Sequence, residues 1–434
     1  MDIWHIRGGN KLEGTCFVQG SKNASLPIIA ASIAAPARSE LTNVPQLRDV
    51  DAALRILRHL GCTAEQLGND VYIDSAPLTE STIPHSLMLE MRSSVIFMGA
   101  LLARCGVARL SLPGGCQLGK RPIDIHLAAL RQMGAQIEEN GGEISCSADK
   151  LRGTELRLPF PSVGATENIM LAATAAEGVT VIHGAAREPE ISALASYLRL
   201  LGSRITGDGT DTVTVEGPIC EASAEYRIIP DRIVASTLAC AAAATGGDVE
   251  LRGVDPTHFS TVLHFLKLAG CDIISSKRSV RLRSDGKLTA VGEISTSPYP
   301  GFPTDAQPVL MAALLRANGK TVITENIFEN RYRQAPELMR LGADITLSGK
   351  TAEIWGVERL RGTSLTATDL RGGAAMIIAG LCAEGETVIE HAGRLRLKES
   401  DRLASTAAML TALGGSVEEL PEGLRIHGVS QLAG

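Results

Sequence analysis

A glycine recurs about every seventy residues along this chain, each time between a helix-like segment and a strand-like one. The six are Gly61, Gly134, Gly202, Gly270, Gly342 and Gly414, with steps of 73, 68, 68, 72 and 72 by subtraction. That period is too long for the common solenoid repeats. The residues ahead of each glycine predict a helix, as in "DAALRILRHL" (51–60), where Ala53, Leu57 and Leu60 recur at i, i+4 and i+7. Alternating segments such as "AQIEE" after Gly134 and "TVTVEG" after Gly209 predict strands.

Each repeat also carries an earlier segment of small apolar residues: "SLPIIAASIAA", "SSVIFMGALLA", "ATENIMLAATAA", "RIVASTLACAAAA", "AQPVLMAALLRA" and "GGAAMIIAGLCA". Apolarity on nearly every side predicts a buried helix, and the alanines and glycines predict close packing. In the last five copies a strand-like run follows, such as "VTVIHG" (179–184) or "TVITEN" (321–326). Six such units describe a pseudo-symmetric α/β protein, most simply two domains of three units each. Three units end near Gly217, and the fourth begins around "YRIIPDRIV" (226–234).

A chain of 434 residues exceeds what one hydrophobic core usually serves, which again favours two domains. The formal charge of −6 is mild, and no basic block points to nucleic acid. The apolar runs fall short of the roughly 18 residues that a membrane span needs, and "MDIWHIRGGN" does not read as a signal peptide. Nine cysteines without a C-x-x-C pair predict free thiols in a reducing cytoplasm. The histidines His126, His183 and His391 lack metal-ligand spacing and read as ordinary polar residues.

The starts of the small-residue helices hold the notable polar groups: "GSKNAS" (20–25), "EMRSS" (90–94), "PSVGATEN" (161–168), "PDR" (230–232), "PTDAQ" (303–307) and "TDLRGG" (368–373). Helix N-termini present unpaired N–H groups and favour anions. Lys22, Arg92, Arg232 and Arg371 add cations at the same places. Each alone reads as a solvated cap residue; repeated at equivalent positions, they describe a site for a polyanion. Asp305 in "FPTDAQP" reads equally as a helix cap and as a functional carboxylate. The segment "LPGGCQLGKRPID" (112–124) is a turn-rich loop, and Lys120 and Arg121 beside Cys116 would stabilise its thiolate. "RLRLKESDRLA" (394–404) is a cationic stretch that also reads as a capped helix start. Neither a phosphate-binding G-x-x-x-x-G-K-[ST] loop nor a dinucleotide G-x-G-x-x-G occurs.

"SKNASLPI", "LPGGCQLGKRPIDIH", "PSVGATENIMLAA", "AAREPEI", "FPTDAQ", "TENIFENR" and "TDLRGGAA" resemble the UDP-N-acetylglucosamine enolpyruvyltransferases, over nearly the whole chain. Their superfamily includes 5-enolpyruvylshikimate-3-phosphate synthase. The resemblance implies a two-domain inside-out α/β barrel of six βαβαββ units, three per domain. It divides the chain into 22–229 and into 1–21 with 230–434. One segment departs: at "GRLRLKESDRL" the family arginine that holds phosphoenolpyruvate is replaced by Leu397, and the next residue, Lys398, resembles a lysine of the shikimate enzyme.

The implied reaction moves the enolpyruvyl group of phosphoenolpyruvate to the 3-hydroxyl of UDP-N-acetylglucosamine, releases phosphate, and begins peptidoglycan precursor synthesis. No metal or cofactor is implied. By the same resemblance Lys22, Arg92, Arg121 and Lys398 hold phosphoenolpyruvate, Cys116 protonates it and is the target of fosfomycin, and Asp305 is the base. Asn23, Arg121, Pro122, Ile123, Asp124, Ser162, Val163, Gly164, Asp305, Ile327, Arg331 and Arg371 attend the UDP-sugar. Transfer to shikimate 3-phosphate or to another nucleotide, and a UDP-sugar sensor without chemistry, are the alternatives.

Overall fold

The computed structural model describes residues 3–111, 123–219, 223–390 and 402–420. The chain forms two compact units, one of residues 20–116 and 120–229, the other of 1–19 with 230–434. We call them the inserted unit and the split unit. Each has its own core, of Ala, Leu, Ile and Val from three sheets and the helices beneath them.

Among the described residues, six four-stranded sheets carry the repeat, three in each unit. In the third repeat, strand Glu155–Arg157 runs parallel to Gly178–His183, which pairs antiparallel with Thr212–Gly217, which in turn pairs with Arg204–Thr206. Helix Val163–Ala173 makes the parallel crossover, and helix Pro189–Leu200 connects to the final hairpin. This is the βαβαββ order. In Thr212–Gly217 the alternation is plain, with Val213 and Val215 buried and the intervening threonines half-exposed.

Three sheets borrow a strand from far along the chain. Ala224–Arg227 joins Arg38–Thr42 in the inserted unit. In the split unit Glu13–Phe17 joins Asp248–Arg252, while Ile3–Arg7 lies between Glu386–Glu390 and Ser416–Leu420. The repeat glycines all adopt left-handed conformations, φ from +92° to +104°. That region suits glycine and turns each amphipathic helix back towards its sheet.

The small-residue segments are the buried helices. In the inserted unit Phe97–Cys105 packs against both Lys22–Ala31 and Val163–Ala173. In the split unit Arg232–Thr245, Gln307–Ala313 and Leu370–Leu381 pack on one another. Small residues permit this: a Cβ on Gly99 would lie 2.3 Å from the Asn168 carbonyl oxygen. The "SSVIFMGALLA" helix begins later than its apolarity predicts, because Arg92–Ile96 is a 3-10 turn. There the Ser94 hydroxyl donates to the Met88 carbonyl, a local bond that competes with regular helix.

Candidate active site

In the inserted unit, Lys22 opens helix Lys22–Ala31 under a Ser21 cap, whose hydroxyl accepts from the Ala24 amide at 3.3 Å. Its ammonium pairs with Asp49, from the first turn of amphipathic helix Arg48–His59. Both side chains are largely buried, 14% and 10% exposed. The Lys22 charge is therefore matched within the protein and held at one place. Asn23 follows in the same helical turn.

Ser162, Val163 and Gly164 form the start of helix Val163–Ala173, with the Ser162 hydroxyl accepting from the Ala165 amide at 3.3 Å. The edge of His126 covers Gly164, where a Cβ would stand 3.1 Å from the ring. His126 belongs to helix Asp124–Gln132, which Ile123 and Asp124 begin. Asn168 ties these parts together: its amide nitrogen donates to His126 Nδ1 at 2.9 Å and to the Val95 carbonyl at 3.1 Å, and its oxygen accepts from the Gly99 amide at 2.8 Å. Burial pushes the His126 pKa down to about 4, so near neutral pH the ring is uncharged, with Nδ1 as its acceptor. Deeper in the helix, burial first, then Glu190 and Glu188, raise the Glu167 carboxyl well above the usual range.

The split unit holds a denser arrangement. Asp305 lies in the turn before helix Gln307–Ala313, whose cap residue is Ala306 without a side-chain bond. Its carboxylate faces two guanidinium groups: Arg331 Nη2 donates to Oδ1 at 2.5 Å and Arg371 Nη2 to Oδ2 at 3.1 Å. Asp305 is thus an ion-paired carboxylate. Arg331, 2% exposed, also donates to the Thr304 carbonyl from Nε at 3.2 Å and Nη2 at 3.1 Å, and sits 5.7 Å from the Phe328 ring centroid.

Arg371 lies in the first turn of helix Leu370–Leu381, where Asp369 accepts from the Arg371 and Gly372 amides. Asp231 likewise takes two amides at the start of Arg232–Thr245. These two helix starts of the split unit are thus capped by the chain's own carboxylates, whereas Ser21 and Ser162 cap theirs with neutral hydroxyls. A neutral cap leaves the positive dipole end available to a bound anion.

Cys116, Lys120, Arg121, Pro122, Leu397 and Lys398 lie outside the described residues, and of Arg92 only the backbone is described. Among the described residues, no group of three His, Cys, Asp or Glu side chains is arranged to hold a metal ion.

A model of the EPSP synthase (3-phosphoshikimate 1-carboxyvinyltransferase) family matches residues 6–393 and 381–434. The chain belongs to that family. Within it, UDP-N-acetylglucosamine 1-carboxyvinyltransferase 2 of Caldanaerobacter subterraneus subsp. tengcongensis is 47% identical over 392 residues, 90% of this chain and 94% of its own. The UDP-N-acetylglucosamine 1-carboxyvinyltransferase of Geotalea daltonii is 43% identical over 423 residues, 97% of this chain and 100% of its own. Two solved structures share the fold at 23% identity. The enolpyruvyl transferase NikO from Streptomyces tendae has a TM-score of 0.85, covering 96% of this chain and 98% of its own. EPSP synthase from Acinetobacter baumannii has a TM-score of 0.76, covering 97% and 100%.

Of the residues that the sequence and its resemblance single out in this EPSP synthase family member, Asp305, Arg331 and Arg371 form one cluster. The sequence did not lead to Asp49, Glu167 or Glu325. Asp49 and Glu167 sit in helical patterns where a carboxylate reads as a solvated or capping group. Glu325 lies in "TENIFENR", which carried the resemblance without a role for its first glutamate.

Proposed function

We propose that this chain is an enolpyruvyl transferase that takes phosphoenolpyruvate as donor and UDP-N-acetylglucosamine as acceptor, releasing phosphate. The observation that carries the acceptor is the 47% identity to a UDP-N-acetylglucosamine 1-carboxyvinyltransferase across 90% of the chain. The product is the enolpyruvyl ether at the sugar 3-hydroxyl, made for peptidoglycan. The enzyme works in the cytoplasm; the described cysteines are free thiols, as a reducing compartment would keep them.

Phosphoenolpyruvate brings a carboxylate and a phosphate, so its binding groups are cations: Lys22, Arg92, Arg121 and Lys398. Cys116 delivers a proton to C3 of the donor. C2 becomes electron-poor, and the acceptor oxygen forms a bond there while Asp305 takes the hydroxyl proton. The resulting tetrahedral adduct loses a proton from C3, and the C2–O bond to phosphate breaks. The ion pairs with Arg331 and Arg371 anchor the Asp305 carboxylate. The same guanidinium groups fix its direction, which matters because small displacements of a catalytic group cost rate. Asn23, Ile123, Asp124, Ser162, Val163, Gly164 and Ile327, with Pro122, hold the UDP-sugar; the Ser162 cap and the Gly164–His126 packing keep one helix start in place for it.

The test is phosphate release from phosphoenolpyruvate with each acceptor in turn. UDP-N-acetylglucosamine should support turnover and shikimate 3-phosphate should not. The reverse pattern would overturn the acceptor and leave the donor chemistry standing.

A further inference from the structure

Glu325 is 2% exposed, yet its carboxylate is fully engaged. Oε1 accepts from the backbone amides of Ile327 at 2.8 Å and Phe328 at 3.1 Å. Oε2 accepts from the Thr304 hydroxyl at 3.0 Å. These donors are neutral and belong to two segments, the loop after strand Lys320–Thr324 and the turn that carries Asp305.

Burying a carboxylate on neutral donors is costly compared with burying an apolar side chain. What the carboxylate adds is geometry: one planar group fixes the loop amides on one oxygen and Thr304 on the other. Six residues later Arg331 closes the same two segments from the other side, through the Thr304 carbonyl and the Asp305 carboxylate. Thr304 is thus held by its hydroxyl and by its carbonyl. Asn326, between the two clasps, is anchored separately to Ser295 and Thr296.

We infer that Glu325 is a positioning residue that sets the spacing between the general base Asp305 and the acceptor contact Ile327. The inference rests on the reading of Asp305 as base and Ile327 as sugar-nucleotide contact. Buried Glu325 acts through Thr304 and through the Ile327–Phe328 backbone. Its two arms should therefore have separable effects.

The experiment measures kcat and the KM for UDP-N-acetylglucosamine in Thr304→Val, Thr304→Ser, Glu325→Ala, Glu325→Gln and Asp305→Asn. Thr304→Val removes one arm and keeps the shape, so kcat should fall about tenfold with the acceptor KM within about twofold of wild type. Glu325→Ala removes both arms, so kcat should fall and KM should rise, each by about tenfold. Thr304→Ser and Glu325→Gln should each stay within about threefold of wild type, because both keep the bonds: the glutamine oxygen can accept both amides and its NH2 can donate to Thr304.

A role confined to stability would lower the unfolding midpoint of Thr304→Val and leave its kcat unchanged, which would overturn the inference. So would a Glu325→Gln enzyme as impaired as Glu325→Ala. Asp305→Asn reports separately on the underlying reading. Wild-type turnover in that variant would remove the base from Asp305, an outcome read in a different protein from those that test Glu325.

Discussion

The ammonium of Lys22 rests on the carboxylate of Asp49, joining the first buried helix of the inserted unit to the amphipathic helix behind it. A largely buried pair of this kind stabilises little against a well-packed apolar pair, but removing one partner strands the other's charge. Asp49→Ala should therefore lower stability by about 3 kcal/mol, measured by urea unfolding. The double change Lys22→Met, Asp49→Leu should recover most of that loss and still lack phosphate release. Turnover in the double variant would show that Lys22 is structural alone.

Cys116 is expected to react with fosfomycin as an epoxide mimic of the donor. Mass spectrometry of treated enzyme should place the adduct on Cys116, and Cys116→Ala should abolish it. Cys116→Asp should keep turnover and resist the compound, since a carboxylic acid can still deliver a proton. Cys105, exposed on the inserted unit, serves as internal control; labelling there instead would remove the role from Cys116.

Lys398 follows Leu397 in the segment that departs from the UDP-N-acetylglucosamine enolpyruvyltransferases, and Lys398→Ala is expected to weaken phosphoenolpyruvate binding. A charge-assisted bond contributes about 1.5–3 kcal/mol, roughly tenfold to more than a hundredfold in affinity. UDP-sugar affinity, measured without donor, should barely change. If donor affinity also holds, the cation must come from Arg394, Arg396 or Arg402.

Glu167 gives a prediction in pH. Burial, with Glu190 and Glu188 nearby, raises its folded-state pKa. A raised carboxyl pKa means that the folded state holds a proton which the unfolded chain has released. That contribution is complete below the ordinary carboxylate range and is lost as pH rises through the folded-state value. Glu167→Gln keeps the shape without the charge. The urea midpoint of the wild type should fall relative to the variant as pH rises above the ordinary carboxylate range. Parallel curves would mean that Glu167 is ionised in the folded protein.

Much of the architecture could be read from residue types alone because it is local. Gly61 and its five counterparts stand where a helix must reverse, and a left-handed backbone selects glycine whatever the tertiary context. The buried helices announce themselves because small and apolar residues fill most of their positions. The site was legible in part for a different reason. Lys22, Asp305, Arg331 and Arg371 stand in segments whose resemblance to known enzymes is strong. What could not be read were pairings across intervals without periodicity. Asp49 meets Lys22 from 27 positions away, and Glu325 meets Thr304 from 21. No local pattern encodes such distances; they follow from how a strand and helix return the chain to the same edge. The 3-10 turn at Arg92–Ile96 was likewise not read from the apolar pattern.

The borrowed strands give the molecule an order of manufacture. Residues 20–229 contain every strand of the inserted unit's three sheets, so that unit can close while the rest is still being translated. The split unit cannot. Ile3–Arg7 is translated well before its neighbours Glu386–Glu390 and Ser416–Leu420. At typical elongation rates the interval is some tens of seconds. Through that time the buried face of Trp4 and Ile6 has no sheet to join. That early strand is therefore open to aggregation and chaperone capture until its partners are made.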